Sequence, residues 1–184
     1  MMTESDIVNG CKKGRREAQR ALYDALATHL MAIAVRYMGN HEDAQDVLQD
    51  ALVKAYLSFD QFTWKGEGSL QAWLHRIVVN TAVSQLRQRQ RLPDVVDIDS
   101  VPEHEEQLDA GEVAHIDTDT ILSMVAALPT GYRTVFNMHC IDGYSHRDIA
   151  RQLGINEGTS SSQLSRARAI LAHKIKEYIN QHTS

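Results

Sequence analysis

Apolar positions along the chain recur at intervals of three and four residues, which is the spacing of one face of an α-helix. The clearest run of such positions consists of Ala44, Val47, Leu48, Ala51, Leu52, Ala55, Tyr56 and Phe59. Alternating apolar and polar runs bounded by turn residues, which are typical of β-strands, are missing from the sequence. The pattern therefore predicts an all-α fold.

Helix start and stop signals divide the first half of the chain into long helices. One helix is predicted over residues 15–38, where Gly39 provides a stop and Asn40 can cap the next helix. The apolar stripe of that helix is Ala18, Leu22, Ala25, Leu26, Leu30, Ile33 and Ala34. Ser69 is expected to be the N-cap of a further helix that ends in a basic segment before Pro93. The apolar stripe of this helix is Leu70, Trp73, Leu74, Ile77, Val78, Thr81, Ala82 and Leu86.

A glycine-punctuated loop precedes that last helix and carries two large aromatic side chains, Phe62 and Trp64, next to Lys65. Sites for single-stranded nucleic acid combine aromatic faces with cations, because every base offers a π face and every nucleotide a phosphate. An aromatic side chain at this place can also fill a core. The composition alone leaves base stacking and core packing as alternatives.

Charge is distributed unevenly around the formal net of −5. Residues 1–91 carry 12 basic and 10 acidic side chains, residues 92–119 carry none and 10, and residues 120–184 carry 7 and 4. We therefore predict two small, mildly basic helical domains, over residues 1–91 and 120–184, joined by an acidic linker over residues 92–119. The linker is either a solvated spacer or an acidic segment that threads a basic channel.

The second domain has the pattern of a helix-turn-helix. A short helix is predicted to begin after Ser145, with Asp148 at the position of a capping-box acid, and to end at Gly154. Asn156 can cap a longer basic helix over residues 158–179. Such a pair of helices is typical of a DNA-binding motif whose second helix enters the major groove. A plain helical hairpin shares much of the pattern and remains the alternative.

Several function classes receive no support from the sequence. Cys11 and Cys140 are too far apart for a disulfide framework or a paired metal site, and we expect both thiols to be reduced and partly buried. The chain has neither a signal-peptide core nor an apolar run of about 18 residues, so we expect a cytoplasmic protein without membrane insertion. An enzyme would have to use His139 and Cys140, which point in different directions on one helix. No catalytic, cofactor-binding or metal-binding residue is predicted.

Two sets of segments, taken together, resemble one known family. The run Asp-Ala-Gln-Asp-Val-Leu-Gln-Asp at residues 43–50, the loop at 62–68 and Trp-Leu-His-Arg-Ile-Val-Val-Asn at 73–80 resemble region 2 of extracytoplasmic-function (ECF) sigma factors. Region 4 of the same family is resembled by Leu128-Pro129, Tyr132-Arg133, Gly143-Tyr144-Ser145, Ile149-Ala150, Leu153-Gly154-Ile155, Glu157-Gly158-Thr159 and Ser165-Arg166-Ala167-Arg168. The matching helices cover about nine tenths of the chain.

The resemblance implies a sigma subunit of RNA polymerase whose region 2 docks on the core enzyme and melts the minus-10 promoter element. The implied docking residues for the clamp helices of the largest polymerase subunit are Asp43, Asp46, Gln49 and Asp50. The implied minus-10 residues, around a pocket for a flipped non-template base with Trp64 as one wall, are Trp64, Lys65, Gly66, Glu67, Arg76 and Asn80.

Region 4 is implied to read the minus-35 duplex and to meet the flap of the second-largest polymerase subunit. The implied DNA contacts are Ser160, Ser161, Ser162, Ser165, Arg166 and Arg168. Relatives often carry a basic residue in place of Ser161 and an arginine in place of Gln163, so base preference cannot be carried over. The family makes an anti-sigma factor a further partner to expect, and it implies no cofactor.

A stand-alone helix-turn-helix repressor or activator is the rival function. It explains residues 120–184 but leaves the aromatic loop and the acidic linker without a role. Tight binding of the free protein to duplex DNA, without polymerase, would favour this rival.

Overall fold

The computed structural model describes residues 2–89 and 113–182, and every regular element within them is a helix. The all-α prediction is therefore confirmed. The chain forms two compact units that divide between Gln85 and Leu86. The acidic linker predicted over residues 92–119 lies outside the described residues except for 113–119. Its course and the predicted domain limits stay predictions.

The described part of the first unit is built from helices α1 to α4 and one short 3₁₀ turn that follows α3. Their bounds are α1 Glu4–Lys12, α2 Arg16–Met38, α3 His41–Ser58, the 3₁₀ turn Phe59–Gln61 and α4 Ser69–Gln88. The α2 and α3 helices pack side by side, and α1 packs on α2 and on the 3₁₀ turn.

The predicted helix signals between α2 and α3 are confirmed. Gly39 ends α2 in the left-handed region at φ 79°, and the side chain of Asn40 accepts a hydrogen bond from the backbone N–H of Asp43 at 2.8 Å. The apolar face predicted on α3 is buried from Ala44 to Ala55. The stripe predicted on α2 is wrong at Ala25, which is exposed, although Leu22 and Leu30 on either side of it are buried and Leu26 is half-buried.

The α1 and α2 helices approach each other closely at Gly10. A Cβ atom at this position would lie 2.4 Å from the Cβ of Ala18, far inside van der Waals contact. The absence of a side chain at Gly10 therefore sets the separation of the two helices.

The two cysteines lie in different environments, and both are free. Cys11 is buried on α1, and burial raises its pKa to about 11, so it is a protonated thiol at neutral pH. Cys140 is exposed, which corrects the expectation that it is partly buried.

The second unit carries helices α5 to α8 in its described part. Their bounds are α5 Thr118–Ala126, α6 Thr130–Phe136, a π-helical turn Asn137–Ile141, α7 His146–Leu153 and α8 Glu157–His182. Side chains from α5, α6 and α8 and from the residue before Pro129 form its core: Val125, Leu128, Tyr132, Ala167 and Leu171.

The predicted caps and stops of the helix-turn-helix at Ser145, Gly154 and Asn156 are confirmed. Ser145 caps α7 by accepting from the backbone N–H of Asp148 at 3.1 Å, and Gly154 ends α7 at φ 71°. The side chain of Asn156 accepts from the N–H of Thr159 at 2.7 Å and caps α8. The last helix starts at Glu157, one residue earlier than predicted, and runs on to His182.

Candidate nucleic-acid interface

A cleft of about 430 Å³ opens in the first unit between the loop after the 3₁₀ turn and the first turns of α4. It is lined by Gln61, Phe62, Thr63, Lys65, Ser69, Ala72, Trp73 and Arg76. Two aromatic and two cationic side chains thus border one open space. Rings stack on bases and cations pair with phosphates, so this lining suits an unpaired nucleotide.

The aromatic side of the cleft belongs to a cluster that also forms part of the core. The rings of Phe62 and Trp73 have centroids 4.7 Å apart, and Trp73 meets Phe59 edge-on at 5.1 Å. Phe62 is buried, whereas Trp64 is 40% exposed and lies outside the lining. Of the two alternatives left open for the loop aromatics, core packing therefore applies to Phe62. Trp64 presents its ring to solvent, and base stacking by this ring stays a prediction.

The loop is held at the start of α4 by side chains that bond its backbone. The hydroxyl of Ser69 donates to the carbonyl oxygen of Gly66 at 2.6 Å and accepts from the N–H of Lys65 at 3.2 Å. The prediction that Ser69 caps α4 is therefore wrong, because its hydroxyl is used by the loop and the helix begins at Ser69 itself. The N–H groups of Gly68 and Leu70 donate instead to the carboxylate of Glu4, at 2.8 and 2.9 Å.

The predicted minus-10 residues fall into two groups. Lys65 and Arg76 line the cleft, whereas the other four lie outside its lining. Of these, Gly66 is half-buried, and Trp64, Glu67 and Asn80 are exposed. The sequence reasoning missed Trp73, which it assigned to the apolar stripe of α4. Its position in that stripe gave no signal of a second role, since only the packing of Phe62 against one side of the ring leaves it facing the cleft.

The polar face of α3 is a separate exposed surface of the first unit. Asp46, Gln49 and Asp50 are exposed, and Asp43 is half-buried in the first turn. The Oδ2 atom of Asp50 accepts from the Nε2 of Gln85 at 2.9 Å. Two apolar side chains continue this face, at positions seven and eleven residues after Asp46. They are Val53 and Leu57, which are 56% and 80% exposed.

The residues predicted to contact minus-35 DNA lie at the start and along one side of α8. Ser161, Ser162, Ser165 and Arg168 are exposed, and Arg166 is half-buried with its Nη1 3.5 Å from the hydroxyl of Tyr132.

Ser160 departs from the rest of this set. Its side chain is fully buried, with Oγ 2.9 Å from the Nδ1 of His146. A buried hydroxyl cannot reach a base edge in this conformation, so Ser160 is removed from the candidate contacts.

Gln163 is also inside the second unit. It is 8% exposed, and its carboxamide lies at van der Waals distance, 3.6 Å, from the Cβ position of Gly131 on α6. The position at which relatives often carry arginine is therefore part of the packing between α6 and α8 in this chain.

His139 and Cys140, the two residues of the enzyme hypothesis, each contact groups of the second unit. His139 stacks on His146 with ring centroids 4.4 Å apart and 9° between the planes, and its Nδ1 lies 2.9 Å from the carbonyl oxygen of Tyr144. The Sγ of Cys140 lies 3.8 Å from Nη2 of Arg168.

Over residues 2–89 and 113–182, no group of three or more side chains is placed to hold a metal ion. In those same segments no helix is long and apolar enough to cross a membrane.

Comparison with protein families assigns both units. Residues 22–92 match the model of sigma-70 region 2, and residues 118–171 match the model of sigma-70 region 4. The chain belongs to the sigma-70 family. Its region 2 match spans the α3 face and the cleft, and its region 4 match spans the helix-turn-helix. The α1 helix of this sigma factor lies before the region 2 match.

Individual relatives agree with this assignment. The ECF RNA polymerase sigma-E factor of Haemophilus influenzae is 29% identical, over 95% of this chain and 96% of its own length. The sigma-E factor of Escherichia coli is 28% identical, over 98% of both chains. Among solved structures, the sigma factor RpoE of Bartonella quintana, in complex with the anti-sigma factor NepR, matches with a TM-score of 0.50 and 29% identity over 85% of this chain and 96% of that one.

Proposed function

We propose that this sigma factor is of the ECF type: it binds core RNA polymerase, recognises the minus-35 and minus-10 promoter elements and initiates transcription. It acts in the cytoplasm as a non-enzymatic subunit and uses no cofactor. The observation that carries the proposal is the cleft of region 2, where the rings of Phe62 and Trp73 and the cations of Lys65 and Arg76 border one space.

Region 2 opens the minus-10 element by holding a base out of the duplex. Extruding a base costs a few kcal/mol, and stacking it on an aromatic ring returns about 1–3 kcal/mol. The exposed ring of Trp64 and the half-buried ring of Trp73 supply stacking faces, and Lys65 and Arg76 supply charge for phosphates. Gly66, Glu67 and Asn80 complete the contact set. Once core polymerase is present, the free energy of these stacking and phosphate contacts is sufficient to favour the melted strand.

The α3 face docks on the clamp helices of the largest polymerase subunit. Its acidic end, with Asp43, Asp46, Gln49 and Asp50, supplies charge complementarity, which steers and aligns association. We extend the docking surface to Val53 and Leu57, because large exposed apolar side chains adjoining a charged face are typical of protein interfaces.

Region 4 reads the minus-35 duplex through α8 and meets the flap of the second-largest polymerase subunit. Ser161, Ser162 and Ser165 are exposed near the start of the helix, where hydroxyls can bond base edges or phosphates. Arg166 and Arg168 add charge for phosphates or guanine. Because Ser161 and Gln163 stand where relatives often carry basic residues, affinity of the isolated protein for minus-35 DNA is expected to be low.

An anti-sigma factor is a further proposed partner. The support is the Bartonella quintana relative, whose solved structure holds an anti-sigma factor. Competition between a candidate anti-sigma factor and core polymerase for this chain would test the proposal.

In vitro transcription with core polymerase tests the promoter-melting role. Replacing Trp64 and Asn80 together by alanine is expected to cripple open-complex formation while core binding stays nearly intact. Arg76→Ala should act in the same direction, whereas Arg20→Ala, which removes a cation from the solvated side of α2, is the matched control. Equal loss of core binding and open complexes would mean that region 2 had unfolded.

Charge reversal on α3 tests the docking role. Asp46→Lys with Asp50→Lys should abolish core binding, and Asp24→Lys, an exposed acid on α2, should not. If core binding survives the double reversal, the docking assignment fails. Tight gel-shift binding to duplex DNA by the free protein would favour a stand-alone regulator instead.

A further inference from the structure

The first amides of α4 are held by a carboxylate from the first helix of the same unit. Glu4, the first residue of α1, accepts from the N–H of Gly68 through Oε2 at 2.8 Å and from the N–H of Leu70 through Oε1 at 2.9 Å. The first N–H groups of a helix lack partners within it, and the residue before the helix usually caps them. Gly68 stands at that position without a side chain, so Glu4 provides the cap. A carboxylate there also interacts favourably with the helix dipole.

Glu4 is itself held in place by the contacts of α1. Thr3 and Asp6 form a reciprocal capping box, with the N–H of Asp6 donating to Thr3 Oγ1 at 3.2 Å and the N–H of Thr3 donating to Asp6 Oδ2 at 3.1 Å. The close contact of Gly10 with Ala18 fixes α1 against α2. The position of the Glu4 carboxylate is therefore determined by α1 as a whole.

The loop that ends at these amides borders the cleft. Gly66 and Gly68 adopt φ of 117° and 83°, so ordering this stretch of backbone costs more conformational entropy than ordering an ordinary segment. Ser69 holds the loop at Lys65 and Gly66, and Glu4 holds it at Gly68. Since Lys65 and Ser69 line the cleft, a shift of the start of α4 moves the wall of the cleft.

We infer that Glu4 is a positioning residue for promoter melting: its carboxylate fixes the start of α4 and thereby the loop at residues 63–68. The inference deepens the proposed function of region 2 and rests on it. Glu4 acts through the loop and does not touch DNA. The role falls on α1, which lies before the segment matched by the region 2 family model.

Hydrogen exchange of backbone amides in the full chain tests the contact. Glu4→Ala removes both acceptors, and Glu4→Gln exchanges one acceptor oxygen for a donor amide. We expect the amides of Gly68 and Leu70 to exchange about tenfold faster in Glu4→Ala, with those of Leu74 and Val78 unchanged. Unchanged exchange at Gly68 and Leu70 overturns the inference. So does acceleration along the whole of α4, because Glu4 would then only stabilise the fold.

Open-complex kinetics with core polymerase test the consequence. On a duplex promoter we expect isomerisation to slow about tenfold in Glu4→Ala and about threefold in Glu4→Gln, with unchanged core affinity. A template whose minus-10 segment is already unpaired should restore most of the rate, since the loop then has less to melt. Glu17→Gln, which removes an exposed acid from the first turn of α2, is the matched control.

Two results on these templates would overturn the inference: wild-type rates in Glu4→Ala on the duplex, or equal loss on the duplex and the unpaired template. The failure of the proposed function is distinguishable from both. If the wild-type protein gives no transcript with core polymerase, the proposed function falls and the inference falls with it. If the wild-type protein and the Glu4 variants transcribe equally, only the inference falls.

Discussion

Region 2 and region 4 use their polar side chains in opposite ways. In region 2 the apolar face of α3 forms the core, and the polar residues of the candidate site, such as Lys65 and Arg76, border the open cleft. In region 4 several polar side chains are buried, including Arg133, Ser160 and Gln163. Two of these three lie on α8, the helix proposed to read DNA. In region 2 the polar residues of the candidate site therefore stay out of the core, and the fold and the cleft share the rings of Phe62 and Trp73. In region 4 buried polar residues and proposed DNA contacts occupy the same helix.

Burial of polar groups makes region 4 depend on hydrogen bonds. Burying a polar group costs free energy unless the group is hydrogen-bonded, and removing it leaves its partners without a hydrogen bond. Arg133 is the strongest case, because its Nη1 donates to the carbonyl oxygens of Ala126 and Leu128 at 3.0 and 2.9 Å and so satisfies the end of α5. Burial lowers the pKa of Arg133, which nevertheless stays charged at neutral pH.

Arg133→Met should give the largest effect, a loss of about 3 kcal/mol from the stability of region 4, because it strands two carbonyl oxygens. Both tryptophans of the chain, Trp64 and Trp73, lie in region 2, so their fluorescence during urea unfolding reports that region alone. Far-UV circular dichroism reports both regions. We expect the dichroism transition to shift and the fluorescence transition to stay.

Arg147→Met, which removes an exposed arginine from α7, is the control for Arg133→Met and should be nearly neutral. An equal shift of both signals in Arg133→Met would show that the two regions unfold as one. The contrast between them would then fail.

Gly10→Ala should give the next largest effect and should fall on region 2. The new Cβ would lie 2.4 Å from that of Ala18, so α1 must move away from α2. We expect a net loss of about 1–2 kcal/mol, since the better helix propensity of alanine offsets part of the strain. The tryptophan-monitored urea midpoint measures it.

Gly131→Ala in region 4 is the matched change in a helix without a clash, since its Cβ would meet Gln163 at an ordinary 3.6 Å. It should be neutral or slightly stabilising. A loss in Gly131→Ala as large as that in Gly10→Ala would mean that helix packing is equally tight in both regions.

These contrasts mark what the sequence could predict. Helix boundaries were predicted to within one or two residues where a local signal exists, as at Gly39, Ser145 and Gly154, because caps act over a few neighbouring residues. Ser69 misled the same reasoning. Its hydroxyl could bond either the helix or the loop, and it bonds the loop. The helix is capped instead by the carboxylate of Glu4, 64 residues before Gly68.

The candidate sites show the same limit. The polar face of α3 follows from helical spacing and is exposed as that spacing requires. The buried Ser160 could not be separated from its exposed neighbour Ser161 by composition, because both are serines in the first turns of α8. Helical spacing distinguishes them, because Ser160 lies four and seven residues before the buried Leu164 and Ala167 and so shares their face. The packing of α7 against α8 then brings His146 to Ser160.

Ser160→Ala is therefore expected to destabilise region 4 by about 1 kcal/mol, the net value of one hydrogen bond, through the loss of its contact with His146. Ser161→Ala should change stability by less than about 0.5 kcal/mol, as expected for an exposed position. Circular dichroism during urea unfolding measures both. If Ser161→Ala proves the more destabilising, the division of α8 into an inner and an outer serine is wrong.

The pH dependence of region 4 should give the smallest effect. Burial lowers the pKa of His146 below the ordinary value of an imidazole, and the nearby charges of His139 and Arg168 lower it further, against an opposing effect of Glu157. Between the pKa of His146 in the folded chain and its pKa in the unfolded chain, the unfolded chain therefore binds a proton that the folded chain does not. Stability that is present above the ordinary histidine pKa is lost as the pH falls through this window.

The test of this pH effect is His146→Gln, which should flatten the fall in the urea midpoint between neutral and mildly acidic pH when unfolding is followed by circular dichroism. The tryptophan signal of region 2 serves as the internal reference. An unchanged slope in His146→Gln would assign the acid sensitivity to other groups. A flattened slope would assign the acid sensitivity of region 4 to His146, whose ring lies 2.9 Å from the hydroxyl of Ser160 on the proposed DNA-reading helix.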